Sequence, residues 1–236
     1  MSLRERIAFL GQMRAHFEET GAIQPSSRFL ARAMAGPLRR RHAADPEGAR
    51  RILEIGPGTG AVTRQVAAAM GPHDTLVCYE INPEFARILR HALHYDRALA
   101  PVAERVSVHV APAQQLQRGE GFDVAVCSAP LNNFDAATID AILGALTSAL
   151  RPNGRATLFE YLWLPALRGA VGNAANRDRL RAARAAKERW LERHGCGSVV
   201  VLANLPPARV HELSTEAAGE LLDQPIDVVG TAPHPR

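Results

Sequence analysis

From residue 51 onward, short apolar runs alternate with longer stretches in which apolar side chains recur at helical spacing. RRILEI leads into GPGTG, and AVTRQVAAAM then reads as a helix with Val62, Val66 and Met70 on one side. TLVCYE is a second strand, and NPEFARILRHAL sets Phe85, Ile88, Leu89 and Ala92 on a helical stripe. RVSVHV, FDVAVCS and RATLFEYLWL predict three further strands. Between the last two, ATIDAILGALTSAL aligns Ile139, Ile142, Leu143, Leu146 and Leu150 on one face. SVVVLANL and ARVHEL flank Pro206 and Pro207 and predict a closing antiparallel pair, which brings the strands to seven. Strands alternating with helices form βαβ units, so the pattern predicts an α/β fold with a mostly parallel sheet covered on both faces. Two helices and a Pro-Ser-Ser turn occupy residues 1–50 as an N-terminal cap. The core spans 51–213, with a helical insertion near 164–195, and 214–236 reads as a mobile tail.

Composition adds limits. An apolar fraction of 47% with 22% charged residues is that of a soluble globular chain. No run reaches the roughly 18 apolar residues of a membrane span. The first twenty residues carry acids and lack an apolar region with a cleavage site, so they do not read as a signal peptide. Cys78, Cys127 and Cys196 have no metal-ligand spacing, and no metal is expected. Together these predict a cytoplasmic protein. Charge is concentrated: residues 161–194 hold eight basic side chains against three acidic ones, in a chain whose net charge is +4.

Glu54-Ile-Gly56-Pro-Gly58-Thr-Gly60 sits between a predicted strand and a predicted helix. Glycine there permits the sharp turn and lets a ligand approach the main chain. The second strand ends in Glu80, where an acid can accept hydrogen bonds from ribose hydroxyls. The spacing does not match G-x-G-x-x-G, which weighs against a nicotinamide dinucleotide. E-x-G-x-G-x-G instead resembles motif I of class I methyltransferases, a Rossmann-like family that uses S-adenosylmethionine and releases S-adenosylhomocysteine. The resemblance implies that Glu54 orders the loop or reaches the methionine amine, and that Glu80 holds the ribose. It assigns Gly56, Gly58, Thr59, Gly60, Ile81, Ala113, Gln114 and Ser128 to the same cofactor site. Where such families carry an acid after the third strand, this chain has Pro112, which leaves main-chain groups or Gln114 for adenine.

Three further segments narrow the resemblance. GAIQPSSRFLARAM begins at Gly21, SAPLNNF at Ser128 and NLPPARV at Asn204. With LEIGPGTGAVT they resemble bacterial phospholipid N-methyltransferases, which convert phosphatidylethanolamine stepwise to phosphatidylcholine. The resemblance runs from about residue 9 to residue 210 and is poorest over 168–197. An ornithine lipid is an alternative substrate. Motif I is also similar to that of rRNA adenine dimethyltransferases, but those need an Asn and an aromatic after the fourth strand. This chain has Ser128-Ala129-Pro130-Leu131 there, so no nucleic-acid partner is expected. A module that binds the cofactor without catalysis is a further alternative.

A headgroup enzyme of this kind docks peripherally, on the inner face of the cell membrane. Leu3, Ile7, Leu10 and Phe17 form a narrow stripe near Arg4, Arg6 and Arg14, although Arg14 interrupts it. The basic stretch from Trp163 to Trp190 is the second candidate for an anionic surface. Each also reads as structure, a lid on the core or a solvated helix. For the chemistry, the lipid amine must lose a proton before it displaces the methyl group in line. Tyr161, which the family resemblance supports, and Glu160 follow the fifth strand and are the candidate catalytic groups, with His16 behind them. Ser26, Arg28 and Arg168 are candidates for the lipid phosphate. A monomer is expected.

Overall fold

A computed structural model describes residues 27–116, 119–162, 174–215 and 228–229. The apolar stripe of the first predicted helix, His16, Ser26, residues 163–173 with Arg168, and most of the tail lie outside them.

The sheet has the order β3-β2-β1-β4-β5-β7-β6-β8. β1 (Arg51–Ile55), β2 (Thr75–Glu80), β3 (Val106–Val110), β4 (Phe122–Cys127) and β5 (Leu150–Tyr161) run parallel. β7 (Ala208–Ser214) pairs antiparallel with both β5 and β6 (Gly195–Val201). The seven expected strands are all present, and β8 (Val228–Val229) adds a two-residue eighth beside β6. Strand order reverses between β1 and β4, which opens a crevice at their carboxyl ends where α/β folds bind ligands.

Alternation along each strand divides the core into two layers. Ile52, Leu76, Cys78, Val124, Phe159 and Tyr161 face one side, and there they meet α1 (Arg28–Met34), α2 (Gly36–Ala44), α3 (Thr63–Ala67) and α4 (Pro83–Tyr95). Leu53, Ile55, Ala125, Ala156 and Leu158 face the other, against α5 (Ala136–Ala149) and α6 (Ala174–His194).

Two details go beyond the pattern reading. Residues 28–44 are built into the core: Leu30, Ala31, Met34 and Leu38 are fully buried, and Thr157 Oγ1 donates to Met34 O at 2.8 Å. Ser27 caps α1, its hydroxyl accepting from Leu30 N at 3.2 Å. The basic helix, moreover, is not solvated all round. Ala183, Ala186 and Lys187 are buried, with Trp190 and Leu191 packed beside them, an i, i+3, i+4, i+7, i+8 stripe laid on α5.

Candidate active site

At the carboxyl end of β1 the chain turns through three glycines with positive φ: Gly56 at 68°, Gly58 at 58° and Gly60 at 91°. Their surroundings assign them different jobs. A Cβ on Gly56 would stand 3.0 Å from that of Ala129, and one on Gly60 would stand 3.0 Å from Leu89 Cδ1, so both positions are closed by packing. A Cβ on Gly58 would meet nothing within 4 Å. Gly58 is the position whose main chain a ligand can approach.

Glu80 holds this loop in place. Its carboxylate accepts from Gly58 N at 2.9 Å and from Asn82 N at 2.8 Å, and Ala111 N donates to its carbonyl at 3.1 Å. Burial raises its pKa, and the hydrogen bonds from Asn82, Gly58 and Ile81 oppose that rise. The acid expected at a ribose therefore also ties the glycine loop to β2 and to the turn that carries Ala113 and Gln114. Ala113 is buried, while Gln114 and Thr59 are exposed.

Glu54 lies fully buried one strand away. Ser128 Oγ donates to its Oε1 at 2.8 Å, and Ser128 N donates to Ile55 O at 2.8 Å, which fixes the start of the segment after β4. Oε2 has no hydrogen-bond partner among the described residues. Burial pushes the carboxyl up to about 7, against the hydroxyls of Ser128 and of Thr63, the latter buried nearby with no partner of its own among the described residues, and with the help of Glu80. A buried carboxylate that meets only neutral hydroxyls among the described residues, those of Ser128 and Thr63, fits a ligand that brings a cationic donor such as the ammonium of a methionine moiety. All ten residues expected at the cofactor site thus lie at or just beyond the carboxyl ends of β1 to β4.

The end of β5 is built differently. Tyr161 is buried on the α1 side of the sheet, its ring edge-on to Phe159 at 5.3 Å. Burial raises its phenol pKa. Glu160, one residue earlier, faces the α6 side. It pairs with the buried Lys187 and accepts from His211 Nε2 at 2.9 Å. Its burial alone would raise the pKa, but the hydrogen bonds and charges of His211 and Lys187 outweigh it and hold the carboxyl down at about 2. The two candidate catalytic neighbours are on opposite faces.

Lys187 and His211 were not among the expected site residues. Neither has a local signal in the sequence, since they reach Glu160 from 27 and 51 residues away. Asn204 was visible only as part of NLPPARV. Its Oδ1 accepts from Ser27 N at 3.0 Å and its Nδ2 donates to Pro206 O at 2.7 Å. Because Tyr161 pairs with Ala208 and Leu162 N donates to Pro207 O at 2.9 Å, this bridge joins the start of α1 to the β6–β7 loop beside Tyr161. Arg28 stands there exposed, its guanidinium 4.9 Å from the Phe29 ring.

Residues 53–156 match a family model described as a methyltransferase domain. The protein is an S-adenosylmethionine-dependent methyltransferase. The matched span runs from β1 to β5 and contains every residue of the expected cofactor site. In sequence the enzyme is similar to an ornithine lipid N-methyltransferase of Singulisphaera acidiphila, 26% identical over 152 residues that cover 64% of this chain and 76% of the relative. In fold it is similar to the O-methyltransferase TomG of Streptomyces achromogenes, solved with S-adenosylmethionine, with a TM-score of 0.61, 20% identity and 88% and 90% of the two chains covered. An O-methyltransferase from Bacillus cereus in complex with S-adenosylhomocysteine gives 0.59, 17%, and 88% and 90%.

Proposed function

We propose that the enzyme N-methylates an amine-headgroup lipid at the inner face of the cell membrane, with phosphatidylethanolamine, taken stepwise towards phosphatidylcholine, as its substrate. The observation that carries this reading is the Ser27–Asn204 hydrogen bond at 3.0 Å. It links two segments that resemble those of phospholipid N-methyltransferases, 177 residues apart, at the strand end that bears Tyr161. The similarity to an ornithine lipid enzyme supports an aminolipid and makes an ornithine lipid the second reading. The RNA reading loses support, because the Ser128 hydroxyl already donates to Glu54 and the Asn132 amide oxygen accepts from Lys187 at 3.4 Å, so neither faces a base freely.

The cofactor supplies an electrophilic methyl group on a sulfonium. Glu54 would hold its ammonium, the Gly56–Gly60 main chain would pack against it, and Glu80 would meet its ribose while keeping the loop closed. The acceptor amine is a cation in water and must be neutral to react. Leaving water for the protein disfavours its charged form. Tyr161, whose phenol keeps its proton because burial raises its pKa, orients the neutral amine through the oxygen lone pair, and its ring faces the positive charge that grows on nitrogen. Glu160 is a poor base: held near 2 and paired with Lys187 and His211, it stays ionised and has little affinity for a proton. Arg28, exposed beside Phe29, would take the lipid phosphate.

The test is methyl transfer from labelled cofactor to vesicles of phosphatidylethanolamine, to vesicles of ornithine lipid and to rRNA, with products read by mass spectrometry. Methylated phosphatidylethanolamine, in one to three steps, is the expected product. Product on the ornithine lipid alone would move the substrate to the second reading, and product on RNA alone would reject both.

A further inference from the structure

Resting on the aminolipid reading, we propose that the β6–β7 loop, together with the start of α1, is the surface by which the enzyme docks on a bilayer containing anionic lipid. Leu205 and Leu202 are 80% and 56% exposed, and Phe29 is 37% exposed. Five large apolar side chains are exposed among the described residues; of these, Leu202 and Leu205 share the β6–β7 loop and Phe29 lies two residues from Ser27, which that loop bonds. The Ser27–Asn204 hydrogen bond sets Phe29 beside the loop.

The exposure is built in. Asn204 is buried and bonded at both ends of its amide, to Ser27 N and to Pro206 O, while Leu162 N secures Pro207 O. A turn fixed on both sides holds the neighbouring leucine out into solvent, where an isolated monomer gains nothing from it. The loop also lies at the correct edge. Val201 and Ala208 pair across its base, and Ala208 pairs with Tyr161, so the loop that carries the leucines lies at the same sheet edge as Tyr161. An amine tethered to a bilayer has to arrive from there.

Charge at this edge fits an anionic leaflet. Arg28 is exposed next to Phe29. α6 begins at the same edge, since Arg179 reaches Asn133 O at 3.4 Å while the helix finishes with His194 near Ser214 O at the opposite edge. The far half of α6 is less suited to the task. Lys187 is buried on Glu160, and Arg184 and Arg189 pair with Glu188 and Asp140. Three apolar side chains fall well short of the roughly 800 Å² per partner of a stable protein interface, which argues against a second copy of the chain. Apolar tips within a basic rim suit the boundary between headgroups and acyl chains.

The experiment compares the full-length wild type with the double variant Leu202→Ser/Leu205→Ser and with Leu205→Trp. Binding is read by sedimentation with vesicles of equal phosphatidylglycerol and phosphatidylethanolamine. Turnover is read on those vesicles and on a short-chain phosphatidylethanolamine dispersed as monomers. The double variant should bind vesicles about tenfold more weakly or worse and lose vesicle turnover in step. Its turnover of the monomeric lipid and its affinity for S-adenosylhomocysteine should be unchanged, which also shows that it is folded. Leu205→Trp should bind at least as well as the wild type. If the double variant binds and works on vesicles like the wild type, the docking surface is wrong and the substrate reading stands. If vesicle binding depends on the leucines but no lipid in either form is methylated, the docking surface stands and the substrate reading falls. If the leucines govern self-association and no vesicle binding occurs, a second copy replaces the bilayer as the occupant.

Discussion

The carboxyl ends of β1 and β5 each carry a glutamate, and the two have opposite fates. Glu54 is fully buried with one oxygen on Ser128 and the other without a partner among the described residues, and its carboxyl is pushed up to about 7. Glu160 is only partly buried, receives Lys187 and His211, and is held down at about 2. Burial acts in the same direction on both. What differs is whether the protein supplies the compensating charge or leaves it to a ligand. The β1 end is left incomplete, as a donor-binding site should be. The β5 end is completed by the protein on its α6 face, which leaves Tyr161, on the other face, to meet the acceptor.

The largest expected effect tests the openness of the β1 end. Gly58→Val should raise the dissociation constant for S-adenosylhomocysteine beyond calorimetric detection, at least 100-fold, since it fills the approach and strains a φ of 58°. Unchanged binding in a folded variant would contradict that reading. Next, Tyr161→Phe should lower lipid turnover on the order of 100-fold while cofactor affinity stays within about threefold. Glu160→Gln should reduce turnover far less. The reverse order of these two variants in a methyl-transfer assay would return the chemistry to the α6 face.

Smaller effects concern stability. Lys187→Met removes one of the two partners of a carboxylate that then keeps only His211, and should cost on the order of 2 kcal/mol in urea unfolding at neutral pH. Adding Glu160→Gln to it should recover part of that loss. Without such recovery, Lys187 acts through packing and not through charge. At the β1 end the sign is different. The folded-state pKa of Glu54, about 7, lies above its ordinary value of 4.5, so the folded form takes up the proton first. Its contribution to the cofactor-free protein is fully present below about 4.5 and is lost as pH rises through 7. Glu54→Gln should flatten thermal stability across that window, and an unaltered pH profile would show that Glu54 does not titrate there.

How much of this the sequence revealed follows the same division. The β1 end was legible because its determinants are contiguous: three glycines in five residues report positive φ directly, and Glu54 and Glu80 close two neighbouring strands. The α/β alternation was legible for the same reason, down to the antiparallel β6–β7 pair. The β5 end was not, because the partners of Glu160 come from α6 and β7. One part of it was readable nonetheless, since consecutive strand residues point to opposite faces and Glu160 and Tyr161 could not share a site. The buried stripe of α6 was hidden because Ala183, Ala186 and the stem of Lys187 form it amid arginines. Asn204 showed as a motif, but nothing in the sequence revealed that it bonds Ser27.

The most direct test is a carboxyl-carbon NMR titration of the protein labelled at glutamate, assigned with Glu54→Gln and Glu160→Gln and recorded with and without S-adenosylhomocysteine. Glu54 should titrate near 7 in the free protein and become ionised at pH 6 when the ligand ammonium is bound, whereas Glu160 should remain ionised at pH 4 in both states. A Glu54 that titrates near 4.5 and ignores the ligand, or a Glu160 that protonates near neutral pH, would contradict the assignment of donor and acceptor ends.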